Sequence, residues 1–282
     1  MVFQEEIPAF MILTLALQLI LGTVLSALVS IFAYRFKVLT SDGASAAFLL
    51  GAIIFGTGGI GFVLPPLFFF FSSSFLSRYK SRTKSKYRDI FEKSGARDKN
   101  QVLANGIIAG ILCFVHFVFP SPSVYYAYLA CLATVNADTW GTEIGILSKS
   151  QPISLRGFKK VLPGSSGGIS FLGSTSSLLG AFLLVLSGFL PGISPVPFKL
   201  ELFLIIVMAG FLGSFIDSLL GAFLQAQYLC PICNKMTERK THCNFDTNRV
   251  SGISWLNNDW VNFLSSISGI FLFFLLLKAI VN

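Results

Sequence analysis

The sequence predicts an all-α fold, a polytopic membrane helical bundle forming one domain over residues 1–282. Three observations predict it. Apolar runs of about 20 residues, the length a helix needs to cross a hydrocarbon core, recur along the whole chain. Hydrophobic residues make up 54% of the chain and charged residues only 12%, with a mean hydropathy of +0.74, which excludes an ordinary soluble domain. Lys and Arg gather in alternate loops, as the positive-inside rule expects. The formal net charge of +8 therefore calls for no nucleic acid, and no aromatic–basic recognition module accompanies it.

About eight spans are expected. The first runs from about Pro8 to Ala33. Glu5 and Glu6 precede it where a cleavable signal would carry basic residues. After the link 34–43, the apolar stretch Ala44 to Leu76 would be about 50 Å long as one helix, against a core of roughly 30 Å. Gly56, Gly58, Gly59, Gly61 and Pro65-Pro66 offer a turn, so this stretch reads as two short spans or a re-entrant pair. The strongly basic loop 77–100 follows, with Arg78, Arg88 and Arg97 among its cations. It reads as a lipid-headgroup anchor or as something more specific around Ser94-Gly95-Ala96-Arg97-Asp98.

The remaining spans fall at 101–119, 124–147, 167–190, 200–225 and 258–280. An uncharged tip (120–123), a polar loop (148–166), a proline-marked tip (191–199) and a Cys/His loop (226–257) separate them. On this count, loops 34–43, 77–100, 148–166 and 226–257 share one side and hold every Lys and Arg except Lys199 and Lys278. That asymmetry places the basic loops in the cytoplasm and the bundle in the cell membrane.

The chemistry is expected around Asn136-Ala137-Asp138-Thr139-Trp140-Gly141-Thr142-Glu143, at the end of the fifth span. Ionisable groups at membrane depth are costly and mark function by default. Asp138 and Glu143 are about 140° apart on an unbroken helix, so they share an ion only if the helix breaks near Gly141. Otherwise they serve different partners. Hard carboxylate oxygens suit Mg²⁺ bridging phosphates. The seventh span adds a stripe of Gly210, Ser214, Asp217, Ser218, Gly221 and Gln225, either part of the same site or close helix packing. Asn258 and Asp259 open the last span, as site residues or as a helix cap. Ser165-Ser166-Gly167-Gly168 leads toward a helix and suits a phosphate, supported by Arg156, Lys159 and Lys160 just before it. Cys230, Cys233, His242 and Cys243 have the residue types of a Cys₃His zinc site, or form a reduced, unliganded loop.

Taken together, these motifs resemble one family of integral membrane proteins. It includes the plant and cyanobacterial phytyl-phosphate kinase, an animal transmembrane member and many unassigned bacterial and archaeal proteins. The likeness rests on Ser72-Ser73-Ser74, the run from Ser94 through Gln101 and Asn105, the central motif, Ser165-Ser166-Gly167-Gly168, Gly213-Ser214-Phe215-Ile216-Asp217-Ser218 and Asn257-Asn258-Asp259. The family more often has Ala where this chain has Gly141.

The resemblance implies phosphoryl transfer from a nucleoside triphosphate, with CTP the expected donor, to an isoprenyl monophosphate. Asp138, Glu143 and Asp217 would hold Mg²⁺. Lys159, Lys160, Arg156 and Ser165–Gly168 would hold the nucleotide. Arg78, Arg97 and Asn105 would hold the acceptor head, with its tail between spans, and Asn136, Asn258 and Asp259 are further binding candidates. The expected partners are thus an isoprenyl phosphate lipid, a nucleoside triphosphate and the bilayer. The competing expectation is a transporter or lipid-handling protein that uses the same polar spans without chemistry.

Overall fold

The computed structural model describes residues 9–87, 89–93 and 95–281. Arg88 and Ser94 of the basic loop, and Glu5, Glu6 and Pro8 at the start, lie outside the described residues. The chain is helical: α1 (Ala9–Arg35), α2 (Ser41–Arg78), the short α3 (Ser81–Lys84), α4 (Lys99–Val118), α5 (Pro122–Gly145), α6 (Phe171–Gly188), α7 (Leu200–Phe223) and α8 (Asn258–Val281). Six of these are long and apolar enough to cross a membrane: α1, α2, α4, α6, α7 and α8.

α2 is broken at Gly59, whose φ of 67° is left-handed and suits glycine. Its halves run antiparallel. The Thr40 N–H donates to Arg97 O at 3.0 Å, and Arg97 Nη1 donates to Ser73 Oγ at 3.1 Å, so the two ends of α2 lie together. The turn reaches the other end of the bundle, where Tyr125 Oη donates both to Gly61 O (3.1 Å) and to Gly188 O (2.7 Å) at the close of α6. The pair thus runs the bundle's full depth and does not turn midway. Each of the eight segments expected from the sequence has a counterpart in α1, the halves of α2, and α4 to α8.

α5 is the axis. Every residue from Tyr125 to Ala137 is buried. Its polar content keeps it out of the apolar six, but its neighbours α2, α4, α6, α7 and α8 shield it from lipid. Small residues permit their close approach. A Cβ on Gly210 would stand 2.5 Å from Ala133 Cβ, and one on Gly269 would stand 2.0 Å from Thr134 Oγ1.

The loops at the basic end carry short strands. β1 (Ile153–Ser154) pairs antiparallel with β2 (Gly168–Ile169). β3 (Gln227–Leu229) lies between β4 (Met236–Thr237) and β7 (Asn248–Ser251), and β5 (Thr241–His242) pairs with β6 (Phe245–Asp246). The sixth span begins at Phe171, later than the expected Gly167, because positive φ at Gly164 and Gly167 turns the chain into β2 first.

Candidate functional site

A cleft of about 130 Å³ opens at the basic end between α5, α6, α7 and the start of α8. Asp138, Gly141, Thr142 and Gly145 line it from α5, and Ser170, Gly173, Ser174 and Ser177 from α6 and its cap. Ser214, Asp217, Ser218 and Gly221 come from α7, with Gln225, Glu238 and Asn258 at the mouth. The stripe read on the seventh span therefore faces the site from Ser214 onward, while Gly210 serves close packing on Ala133. Asp138 from α5 and Asp217 from α7 line it together, and Glu238 lines the same cleft.

Three carboxylates thus share the cleft, and none of the described residues lining it is Lys or Arg. Asp217 Oδ2 is buried without a hydrogen-bond partner. Buried anionic oxygens left unpaired are expensive, and a bound cation removes that cost. The chemistry of this donor set, hard carboxylates and hydroxyls, suits Mg²⁺, which Asp138 and Asp217 could hold.

Ser165, Ser166, Gly167 and Gly168 line the same cleft. Gly167 (φ +70°) lies so close to α7 that a Cβ there would stand 2.3 Å from Ala222 Cβ. Ser166 Oγ donates to Glu238 Oε1 at 2.5 Å. The turn is not itself a helix start. β2 intervenes, and Ser170 caps α6 by accepting from Gly173 N at 3.1 Å. The N-terminus of α6 nevertheless lines the cleft, so the expected dipole reaches it by a different residue.

Other expected residues fall elsewhere. α5 does not break at Gly141, so Glu143 points away from Asp138. It pairs with Lys84 Nζ at 2.6 Å and accepts from Ser77 Oγ at 2.5 Å, and it is corrected from metal ligand to partner of the basic loop. Asn136 is fully buried as a tie between helices: its Nδ2 donates to Gly180 O at 2.7 Å, and Ser72 Oγ donates to its Oδ1 at 3.4 Å. Asp259 closes on Lys93 at 2.5 Å, and Lys93 also holds Asp98 at 2.8 Å, so Asp259 latches the basic loop and does not enter the cleft. Lys159 and Lys160 are exposed on the loop between β1 and β2, and Arg156 is exposed at the edge of a separate hollow. None of the three lines the cleft.

Arg97 and Asn105 do come together. They line an apolar groove between the halves of α2 and α4, with Leu50, Ile54, Phe69 and Leu132 among its walls. Arg97 sits over the Phe69 ring at 5.9 Å and takes part in none of the three salt bridges among the described residues. Arg78 instead donates to Phe36 O and ties α2 to the end of α1.

Glu238 was not anticipated from the sequence. Burial raises its pKa, with the Ser166 hydroxyl acting in the opposite direction. The only signal was an acid placed between two pairs of candidate metal ligands, and acids are common in polar loops.

A profile of the family described as "Integral membrane protein DUF92" matches residues 24–270. Among curated relatives, "Protein PGR" of Arabidopsis thaliana is 29% identical over 269 residues, covering 88% of this chain and 92% of that protein. An uncharacterized membrane protein of Methanocaldococcus jannaschii is 29% identical over 189 residues, covering 67% of this chain and 76% of its own length. "Protein VTE6, chloroplastic" of Arabidopsis thaliana is 25% identical over 235 residues, covering 80% of this chain and 62% of that protein. No solved structure matches the chain.

Proposed function

Since the chain belongs to the DUF92 family of integral membrane proteins, we propose that it is a membrane phosphotransferase that makes an isoprenyl diphosphate from an isoprenyl monophosphate and a nucleoside triphosphate. CTP is the donor to test first. The observation that carries this reading is the cleft itself: three carboxylates, an unpaired Asp217 oxygen and no basic side chain, beside a Gly/Ser turn and a helix N-terminus. Such a site repels a bare polyphosphate and accepts one that arrives with a divalent cation. We place the basic end in the cytoplasm, where nucleotide is available, and the bundle in the cell membrane.

Mg²⁺, when bound, neutralises charge on the transferring phosphoryl group. Asp138 and Asp217 would hold that ion. The backbone of Ser165–Gly168 and the hydroxyls of Thr142, Ser174 and Ser218 orient the phosphate chain, and the closeness of Gly167 to α7 narrows the space left for water. The acceptor already carries an ionised phosphate, so no strong base is required. One of its oxygens forms a bond to the γ-phosphorus as the bond to the nucleoside diphosphate breaks.

Arg97 pairs with the acceptor's phosphate in this reading, with the isoprenyl tail along the apolar groove. Arg97 and Asp138 line separate hollows, so in this reading the acceptor phosphate must move from the groove to the cleft to meet the donor. A transporter would need a polar route to both ends. Toward the other end, the face-to-face packing around α5 between Tyr125 and Ala133 is closed and largely apolar.

The test is incubation of purified protein in detergent with Mg²⁺, single nucleoside triphosphates and single isoprenyl monophosphates, with the diphosphate product measured directly. Solute uptake by proteoliposomes, with no nucleotide consumed and no diphosphate formed, would overturn the reading.

A further inference from the structure

The segment between α7 and α8 has little apolar core of its own. Ile232, Met236, Phe245, Val250, Ile253 and Trp255 are exposed, and its buried apolar residues are Ala226, Tyr228, Cys230 and Leu256. Segments with so little core gain a fixed shape from a covalent or metal staple or from docking on the rest of the fold. Its three cysteines form no disulfide.

The fold gathers Cys230, Cys233, His242 and Cys243 so that one ligand atom from each lies within 4.8 Å of the others. Cys233 Sγ and Cys243 Sγ stand 3.5 Å and 3.2 Å from His242 Nδ1. A tetrahedral zinc ion with Zn–S near 2.3 Å and Zn–N near 2.0 Å sets its ligand atoms roughly 3.5–3.8 Å apart, so the cluster needs little adjustment. Both turns that carry the ligands hold non-glycine residues in the left-handed region: Asn234 (φ 54°) in one, Cys243 (φ 53°) and Asn244 (φ 63°) in the other. Such backbone persists where something else fixes it.

Residues 237–239 lie between the two ligand pairs, and every one of them is docked on another part of the protein. Thr237 Oγ1 donates to Asp89 O at 2.6 Å, Glu238 N to Ile90 O at 2.8 Å, and Arg239 Nε to Phe91 O at 2.9 Å. The Glu238 carboxylate accepts from Glu92 N (3.1 Å) and from Ser166 Oγ (2.5 Å) in the Gly/Ser turn.

We propose that Cys230, Cys233, His242 and Cys243 bind one zinc ion, and that this ion is a clasp: it fixes the segment that carries Glu238 against the Gly/Ser turn and the basic loop. Four protein ligands leave no open position, so the ion is structural. Glu238 is a positioning residue for the turn. Its importance to turnover rests on the reading of the cleft given above, whereas the ion and the clasp do not.

The experiment uses the full chain purified in detergent without chelator. Zinc is counted by mass spectrometry, and hydrogen exchange is followed with and without zinc removal by a strong chelator. About one zinc per chain is expected, falling below about a tenth in the Cys230→Ser/Cys233→Ser variant. Zinc removal from wild-type protein should speed exchange at residues 89–92 and 237–239 by about tenfold or more, while α5 and α7 stay protected. The chelator arm stands even where the double variant fails to fold. Zinc below about a tenth per wild-type chain would overturn the site, and unchanged exchange at 237–239 after its removal would overturn the clasp. Neither measurement involves nucleotide or lipid, so failure of the phosphotransferase reading leaves both intact.

Discussion

Lys84 closes on Glu143 at 2.6 Å, and that pairing turns Glu143 away from the cleft that Asp138 faces. The two acids of one motif therefore have different work, and substitution should separate them. Asp138→Asn and Asp217→Asn are each expected to lower turnover by at least ~100-fold, the scale of a lost transition-state charge contact of about 3 kcal/mol. Both should fold, since each removes a buried charge. Steady-state kinetics on protein of verified stability is the check, and near-normal turnover in both would remove the metal site.

Glu143→Gln should act mainly on stability. It leaves the Lys84 ammonium, whose side chain is only 9% exposed, without its counter-charge. Losing one partner of such a buried pair costs about 3–5 kcal/mol. Lys84→Met combined with Glu143→Leu should recover part of the loss, as thermal unfolding in detergent would report.

For Arg97, the expected signature is selectivity between substrates. Arg97→Ala should weaken isoprenyl-phosphate affinity by roughly 10- to 100-fold, as for a charge-assisted hydrogen bond of about 1.5–3 kcal/mol, and leave nucleotide affinity near normal. Lys159→Ala and Lys160→Ala, exposed and outside the cleft, should change neither. Titrating each substrate at saturation of the other distinguishes these outcomes.

Burial raises the Glu238 pKa above its ordinary 4.5, so the fold favours the protonated form. The stability this group contributes is present below about pH 4.5 and is lost as pH rises through the raised value. Gln cannot ionise, so Glu238→Gln should gain stability relative to wild type between pH 4.5 and neutrality. Thermal unfolding without divalent cation, at both ends of that window, is the measurement. A difference that stays flat with pH would contradict it.

A Cβ at Gly141 would meet Ser177 Oγ at 2.2 Å, so the Ser177 hydroxyl must leave its place between α5 and α6. Gly141→Ala should therefore cost about 1–3 kcal/mol, and Ser177→Gly in the same chain should restore most of it. Alanine at this place in the wider family is thus expected to go with a smaller neighbour on α6.

The helical segments were legible because apolar length and charged loops act locally, and the turn at Gly59 announced itself through four glycines in six residues. The pairing of Asp138 with Asp217 was legible as two acids near the basic ends of their spans. What sequence reasoning could not supply was the rotation of α5. Whether Glu143 or Asp138 faces α7 depends on packing against Ser72, Ser77 and Gly180, which are far away along the chain. The basic residues misled for a related reason: Lys159 and Lys160 are close to the Gly/Ser turn in sequence, but the β1–β2 pairing carries them outward. Glu238 reaches the cleft only through contacts with residues 89–92 and Ser166, a juxtaposition that no local pattern encodes.

The groove between the two arms of α2 ends at Arg97 and is otherwise almost wholly apolar. On the proposed reading, a molecule with a phosphate at one end and a long hydrocarbon at the other would lie in such a slot with its tail in the oily phase. At about 0.8 kcal/mol per methylene, lifting a tail of about 20 carbons into water would cost on the order of 16 kcal/mol, more than ordinary binding energies return. On that reading, a helix folded back on itself avoids that journey: Arg97 would meet the charge while the tail stays in hydrocarbon.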